Sequence, residues 1–297
     1  MAGPLDHEDA ALLRKSLTAD RIHSGYLLSG PGDAPRDAAV AFVRGLVCRG
    51  TAERPCEACD GCRRSQPKED IVLDGTGKKG PLYRHVGDHA DLFFVERGAD
   101  DTRVRIGQVR ALQQALRLAS TEGGRRAAIV ADAEWLNQEA QNALLRLLEE
   151  PPPQTTLVLV TASSSGLLAT VRSRCQRVVF HAAETSVLDG EEGAEIVARF
   201  ESIGAASVPD LLDWAEEYRG ARAVAASRVE GLLEIGSAWL RRRVALRVAD
   251  GTTPSDVAGE LSASRVLSDC RKSLVQRNAN PQMVAERALL ALQTVAR

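Results

Sequence analysis

Over the first 180 residues, short apolar runs alternate with amphipathic stretches. Tyr26–Ser29 is an apolar run closed by Gly30. Asp37–Cys48 then places Val40, Val43, Leu46 and Val47 on one helical face. Leu92–Val95 is a second run. Ile106, Val109, Leu112, Leu116 and Ala119 follow at spacings of three and four, the period of a half-buried helix. Ala127–Ala131 is a third run and stops at Asp132. Asn137 is placed to cap a helix whose stripe is Ala140, Ala143, Leu144, Leu147 and Leu148. Pro151, Pro152 and Pro153 must end it, because proline lacks an N–H and disfavours a helical residue before it. Leu157–Val160 and Arg177–Phe180 complete five runs. Strands and helices in alternation predict an α/β fold with a mostly parallel sheet flanked by helices. Ligands of such sheets bind at the carboxyl ends of the strands.

After residue 181 the strand pattern stops. Glu191–Ile203, Pro209–Tyr218, Arg222–Arg242, Ala263–Gln276 and Gln282–Val295 all carry helical periodicity. The expectation is an α/β core over 1–180, a small helical lid over 181–226 and an all-helical domain over 227–297. Within the core, 66–90 reads as a surface insertion, and its Gly-, Lys- and His-rich part from 74 to 90 as mobile.

Composition narrows the function classes. Apolar residues make up 44% and charged residues 26% of 297 residues, ordinary for a globular chain. Lys and Arg total 38 against 40 Asp and Glu, a formal charge of −2. That balance argues against coating DNA by bulk charge, though a local basic patch stays open. No apolar run approaches ~20 residues, and the start from Met1 to Lys15 is acidic and mixed, unlike a signal peptide. The expectation is a cytoplasmic protein with no membrane partner, whose six cysteines are thiols or metal ligands rather than disulfides.

Cys48, Cys56, Cys59 and Cys62 stand in the spacing C-x7-C-x2-C-x2-C. A C-x-x-C pair lets two thiolates reach one tetrahedral ion, and a preceding cysteine can complete a shell of four thiolates. Arg49, Arg54, Arg63 and Arg64 would offset the charge of a zinc tetrathiolate. A closed shell leaves no position for water, so the zinc would be structural; free or redox-active thiols are the other reading. Cys175 and Cys270 read as small buried apolar residues.

Strand, loop and helix around Gly30 stand where a phosphate loop would. Such a loop needs glycines whose N–H groups wrap phosphates, a lysine for the β- and γ-phosphates, and a hydroxyl for Mg²⁺. Here the residues are Gly30, Pro31, Gly32, Asp33, Ala34, Pro35, Arg36 and Asp37. Asp33 and Pro35 replace glycines, Arg36 the lysine and Asp37 the hydroxyl. Pro35 removes a donor, and each carboxylate faces a polyanion at a cost of roughly 4 kcal/mol per charge pair at ~4 Å in an effective dielectric of ~20. An ordinary strand–turn–helix connection explains the same residues.

Asp132 and Glu134 close the third run, where acids hold Mg²⁺ or activate water in phosphate-processing folds. They are not adjacent, and a turn acid capping the next helix is the alternative. Thr161 ends the fourth run and could aim a hydroxyl at the same edge. Ser173, Arg174 and Cys175 precede the fifth. An arginine supplied in trans can fork onto a γ-phosphate; a surface ion pair is the plainer use.

Several segments together resemble one family. They are the four-cysteine module, His89-Ala90-Asp91-Leu92, and Asp132-Ala133-Glu134-Trp135-Leu136-Asn137. Next come Asn142-Ala143-Leu144-Leu145-Arg146-Leu147-Leu148-Glu149-Glu150-Pro151-Pro152 and Ser173-Arg174-Cys175-Gln176. Asn278-Ala279-Asn280-Pro281, with Glu286 and Leu289-Leu290, is the last. The pattern resembles the delta-prime subunits of bacterial DNA polymerase III clamp loaders, of the AAA+ family. The gamma/tau motor subunits share the cysteines, the helix and Ser-Arg-Cys but carry an intact phosphate loop. The resemblance implies a RecA-like AAA+ core, a lid and a helical collar. It implies a non-hydrolysing subunit, with no ATP binding of its own, that lends Arg174 to the ATP site of a neighbouring motor subunit while Ser173 and Cys175 hold the loop. The implied partners are motor and delta subunits, and through the assembly the sliding clamp and primer-template DNA. Tyr218–Ala223, with Arg222, lies where the family's lid carries a sensor arginine. Two features depart from the pattern, the insertion at 66–88 and a short collar. An active AAA+ ATPase with an atypical loop is the alternative from the enzyme class. A zinc-containing DNA-binding module is a third reading, weakened by the even charge and only 4% aromatics.

Overall fold

The computed structural model describes residues 3–50, 53–68, 71–98, 101–181, 187–188, 190–251, 256–277 and 279–296. Asn278 and positions 182–186, which begin the expected lid, lie outside the described residues. The chain divides into two compact units, Met1–His181 and Ala182–Arg297.

In the first unit, α1 (Ala11–Thr18) leads into β1 (Gly25–Ser29) and α2 (Ala34–Val47). The short α3 (Asp60–Arg64) belongs to the cysteine module. β2 (Arg84–Val86) and β3 (His89–Val95) come next, then α4 (Ile106–Arg117), β4 (Arg126–Val130) and α5 (Gln138–Glu149). β5 (Thr155–Thr161), α6 (Ala169–Arg172) and β6 (Gln176–Val179) finish the unit. The sheet order is β2-β3-β4-β5-β1-β6, parallel except for β2, which pairs antiparallel with β3.

Because side chains alternate across a strand, each central strand feeds two cores. Tyr26, Leu28, Leu92, Phe94, Ile129, Val158 and Val160 pack with Ala38, Phe42, Val43 and Leu46 of α2 and Leu13 and Leu17 of α1. Leu27, Phe93, Val95, Ala128, Val130, Leu157 and Leu159 pack on the other face with Val109, Leu112 and Leu116 of α4 and Leu144, Leu147 and Leu148 of α5. Asn137 caps α5 as expected, its side chain accepting from Ala140 N at 2.8 Å. The result is the parallel sheet between helices that the sequence implied.

One stretch differs from its sequence reading. Inside the expected surface insertion, residues 84–86 form an edge strand of the sheet and His89 and Ala90 already belong to β3. Gly87, with φ +58°, makes the turn back into β3. A Cβ there would stand 2.4 Å from the carbonyl oxygens of Arg64 and Gln66, so only glycine lets the cysteine module lie against this turn. Asp88 N donates to Arg64 O at 2.7 Å on the same seam.

Among the described residues the second unit is helical: α7 (Glu191–Ser202), α8 (Val208–Glu216), α9 (Arg222–Ala249), α10 (Ala258–Gln276) and α11 (Pro281–Ala296). Phe200, Trp214 and Trp239 form its aromatic centre, with ring centroids 5.8 and 5.5 Å apart. Leu232, Leu267, Leu289 and Leu292 are buried in the same unit. Helix α9 runs unbroken through positions 226 and 227. No described helix is long and apolar enough to cross a membrane.

Candidate functional site

The carboxyl edge of the sheet gathers the residues expected around a phosphate loop. Ser29 pairs with Thr161, and Gly30 N donates to Thr161 O at 3.1 Å. Val130 pairs with Leu159, which pairs with Leu27, so Asp132 reaches the same edge. Only Gly30–Asp33 separates β1 from α2. A Cβ on Gly30 would lie 2.4 Å from Phe180 O, so that glycine serves the approach of β6. Gly32 takes φ +67°. Pro35 already lies in the first turn of α2 and is buried. The Arg36 guanidinium lies 2.5 Å from Glu96 Oε2 and stacks 4.8 Å from the Phe94 ring centroid. Partial burial and the Asp33 carboxylate push the Asp37 carboxyl above its ordinary range, against the pull of Arg36. The loop is therefore short, Asp33 in it and Asp37 in the first turn of α2 are acids, and the Arg36 guanidinium between them in sequence is engaged by Glu96.

Asp132 adopts φ +54°, and its Oδ2 accepts from Arg97 N at 3.3 Å, with Arg97 Nε 3.4 Å away. Glu134 is buried. Its Oε1 accepts from Ala162 N at 2.9 Å, while Oε2 has no hydrogen-bond partner. Burial, with Asp132 nearby, pushes the Glu134 carboxyl up. Thr161 Oγ1 is spent on Ser163, donating to its carbonyl at 2.9 Å and accepting from its N–H at 3.1 Å.

The four cysteines converge where α2 ends and α3 begins. Cys48 follows the last turn of α2, Cys59 is the N-cap of α3 and Cys62 lies in its first turn. Their sulfurs all lie within 4.8 Å of one another, Cys56 to Cys62 at 3.9 Å and Cys59 to Cys48 at 4.0 Å. A tetrahedral ion with Zn–S near 2.3 Å needs sulfurs about 3.8 Å apart, so the set fits such a metal. Arg49 N and Gly50 N point at Cys59 and Cys48 sulfur, each at 3.4 Å. Burial raises the Cys48 and Cys62 thiols. At Cys59, burial is outweighed by N–H donors from Cys62 and Arg49, which bring the thiol down to about 6. A Cβ on Gly50 would lie 2.6 Å from Cys56 Sγ, so the knuckle needs that glycine.

Two arginines of the module reach one acid elsewhere. Arg64 pairs with Glu122 at 2.7 Å, and Arg49 donates to Glu122 O at 2.8 Å. His89 Nε2 lies 3.3 Å from the same carboxylate. Asp91 accepts Ser120 Oγ and the N–H groups of Thr121 and Glu122 at 2.8–2.9 Å. The His89-Ala90-Asp91 stretch thus fixes the α4–β4 loop, which in turn holds the cysteine module. The sequence marked these residues only as a motif; Glu122 carried no signal of its own.

Arg174 stands at the other end of the sheet. It precedes β6, which runs parallel to β1, whereas Gly30 follows β1. Tyr26 pairs with Gln176, which sets Arg174 level with Ser24, so the backbones of Arg174 and Gly30 lie about 20 Å apart at ~3.3 Å per residue. Arg174 Nη1 donates to Thr170 O at 2.9 Å, and Nη2 lies 2.7 Å from Glu149 Oε1. Ser173 Oγ also donates to Thr170 O, at 3.1 Å. Burial pushes the Cys175 thiol up to about 12, and its side chain packs on the core beside Leu148. Gly25 makes room here, since a Cβ would lie 2.7 Å from Leu148 Cδ2 and 3.2 Å from Arg174 O. Arg222, within the second unit, donates to Ala279 O at 3.0 Å.

The family described as DNA polymerase III, delta subunit, matches residues 6–184. A DNA polymerase III subunit delta' of Bacillus subtilis is 29% identical over 179 residues, covering 60% of this chain and 48% of that one. The delta' subunit of Pseudomonas aeruginosa is 34% identical over 159 residues, 53% of this chain and 42% of that one. The chain thus spans about half the length of these relatives. A crystal structure of a gamma-subunit-related protein from Thermotoga maritima aligns over 98% of this chain and 100% of that one, at 16% identity and a TM-score of 0.42.

Proposed function

The chain belongs to the DNA polymerase III delta-subunit family, and from that premise we propose that it is a delta-prime-like clamp-loader subunit. It does not hydrolyse ATP. It lends Arg174 to an ATP site on a neighbouring motor subunit of the gamma/tau kind, within an assembly that places a sliding clamp on primer-template DNA. The observation that carries this reading is the placement of Arg174 at the strand end opposite Gly30. With its backbone about 20 Å along the strand direction from Gly30, Arg174 is too far from its own chain's phosphate-loop position for its side chain to reach a phosphate there. A γ-phosphate it touches must come from another chain.

The shape of the loop supports the first half of the reading. Four residues from Gly30 to Asp33 leave little backbone to wrap an anion, Pro35 removes a donor, and Asp33 and Asp37 oppose negative charge. The cysteine module fits a structural Zn²⁺ held by Cys48, Cys56, Cys59 and Cys62, which would cross-link the end of α2 to α3. In this reading Ser173 and the packed Cys175 hold the turn that presents Arg174.

Reconstitution tests it. The full chain, mixed with motor and delta subunits, is expected to enter one complex that loads a clamp. Arg174→Ala is expected to fold and assemble but to lower DNA-stimulated ATPase about tenfold or more. Unchanged turnover with Arg174→Ala, or ATP hydrolysis by the isolated chain, sinks the reading.

A further inference from the structure

Gln141 lies on α5 between Ala140 and Leu144, is 4% exposed, and faces an otherwise apolar stripe. A buried amide is costly unless its polar atoms are paired. Here they are paired with backbone alone. Oε1 accepts from Leu168 N at 2.7 Å, and Nε2 donates to Leu136 O at 3.0 Å and Gly166 O at 3.3 Å. Glu134 Oε1 takes Ala162 N at the other end of the same loop. Gly166 sits so close to Glu134 that a Cβ would lie 3.1 Å from the Glu134 Cβ. Both ends of the β5–α6 connection are thus tied to the β4–α5 segment by buried side chains.

That connection runs directly into the arginine. Leu168 is the N-cap of α6, whose buried Val171 fixes its one turn against the core. Thr170, on that turn, supplies the carbonyl that both Ser173 and Arg174 use. We infer that Gln141 is a positioning residue for Arg174. Through Leu168 and Gly166 it sets the height and direction of the turn from which the guanidinium reaches a neighbouring chain's phosphate. Gln141 touches no phosphate itself. The inference rests on the trans-arginine reading for its effect on turnover, but not for the tether, which can be measured in the free chain.

The experiment uses Gln141→Met, close in volume and without the amide. In the full-length free chain, hydrogen exchange of the Leu168–Arg174 amides is expected to quicken about tenfold, with the β1 and β5 amides unchanged. In the loader reconstituted with motor and delta subunits, kcat for DNA-stimulated ATPase is expected to fall about three- to tenfold with KM for ATP unchanged. Combined with Arg174→Ala, it is expected to cost nothing further. Should the methionine variant fold poorly, Gln141→Leu, which also lacks the amide, is scored in the same way. Unaltered exchange from 168 to 174, or a loss that adds to that of Arg174→Ala, overturns the inference. If Arg174→Ala alone leaves turnover unchanged, the trans-arginine reading fails, while the exchange result still decides whether Gln141 holds the turn.

Discussion

The Arg174 guanidinium is paired with Glu149, Nη2 to Oε1 at 2.7 Å, across the gap between α6 and the last residue of α5. Both side chains are partly open to solvent, at 37% and 47% exposure. Such a pair contributes about 0–1 kcal/mol to stability, so it can be exchanged for a better anion at little cost. If Arg174 acts in trans as proposed, Glu149 holds it at rest and competes with the phosphate. Glu149→Gln is expected to leave the melting temperature within about 2 °C and to raise loader turnover by up to about fivefold at limiting ATP. A drop to the level of Arg174→Ala would show instead that Glu149 keeps the guanidinium in its working position.

Asp91 gives the fold an acid-sensitive joint. Burial alone would raise its carboxyl, but the N–H groups of Thr121 and Glu122 and the Ser120 hydroxyl outweigh it, and the net direction is down. A carboxyl held lower in the folded chain than its usual value near 3.9 adds stability that is complete above that value. That stability is lost as pH falls through the lower folded value. Asp91→Asn cannot accept all three bonds. Its melting temperature is expected to trail wild type by a constant margin above about pH 5, and the gap to close below about pH 4. A gap that persists at pH 3 would mean that the bonds survive protonation.

The sequence made the central sheet legible because β1, β3, β4 and β5 are buried on both faces and read as unbroken apolar runs. Helices α4 and α5 were legible from their stripes, and α5 also from Asn137 and the prolines behind it. β2 was not, since Arg84-His85-Val86 holds one apolar residue and owes its pairing to the turn at Gly87. The cysteines were found by spacing, since metal geometry is written into it. Gln141, Glu122 and Glu149 were missed as a working set. Each acts on a backbone group or a charge brought near by the fold, and nothing in a Gln or Glu names its partner.

Glu122 ties the metal module to the sheet through Arg64, Arg49 and His89. Arg64, close to Cys62, is held by the Glu122 carboxylate and Arg49, next to Cys48, by the Glu122 backbone carbonyl, so the carboxylate steadies the knuckle through Arg64 from outside the sulfur shell. Loss of such an outer partner commonly costs 10–100-fold in metal affinity. Purified chain is expected to hold one zinc, Cys62→Ser to hold none and to melt lower, and Glu122→Gln to release zinc to a chelator about tenfold faster than wild type. Equal release rates would remove Glu122 from the support of the site.

Asp37 offers a test of the proposed loss of nucleotide binding that needs no partner. Its carboxyl is raised by partial burial and by Asp33, so the folded chain disfavours its charge. For an acid raised on folding the sign reverses: the chain loses stability as pH climbs past the unfolded value near 3.9. Asp37→Asn should therefore melt slightly higher than wild type at pH 7, by about 1 °C given the solvent around the side chain, and identically at pH 3. The same substitution removes one carboxylate from the place where an ATP phosphate would sit. Neither protein is expected to retain a fluorescent ATP analogue at 100-fold molar excess. If Asp37→Asn alone restored tight binding, a single charge would be what keeps nucleotide out. If wild type bound tightly, the short loop, Pro35 and the engaged Arg36 would not disarm it, and the chain would have to be read as a motor.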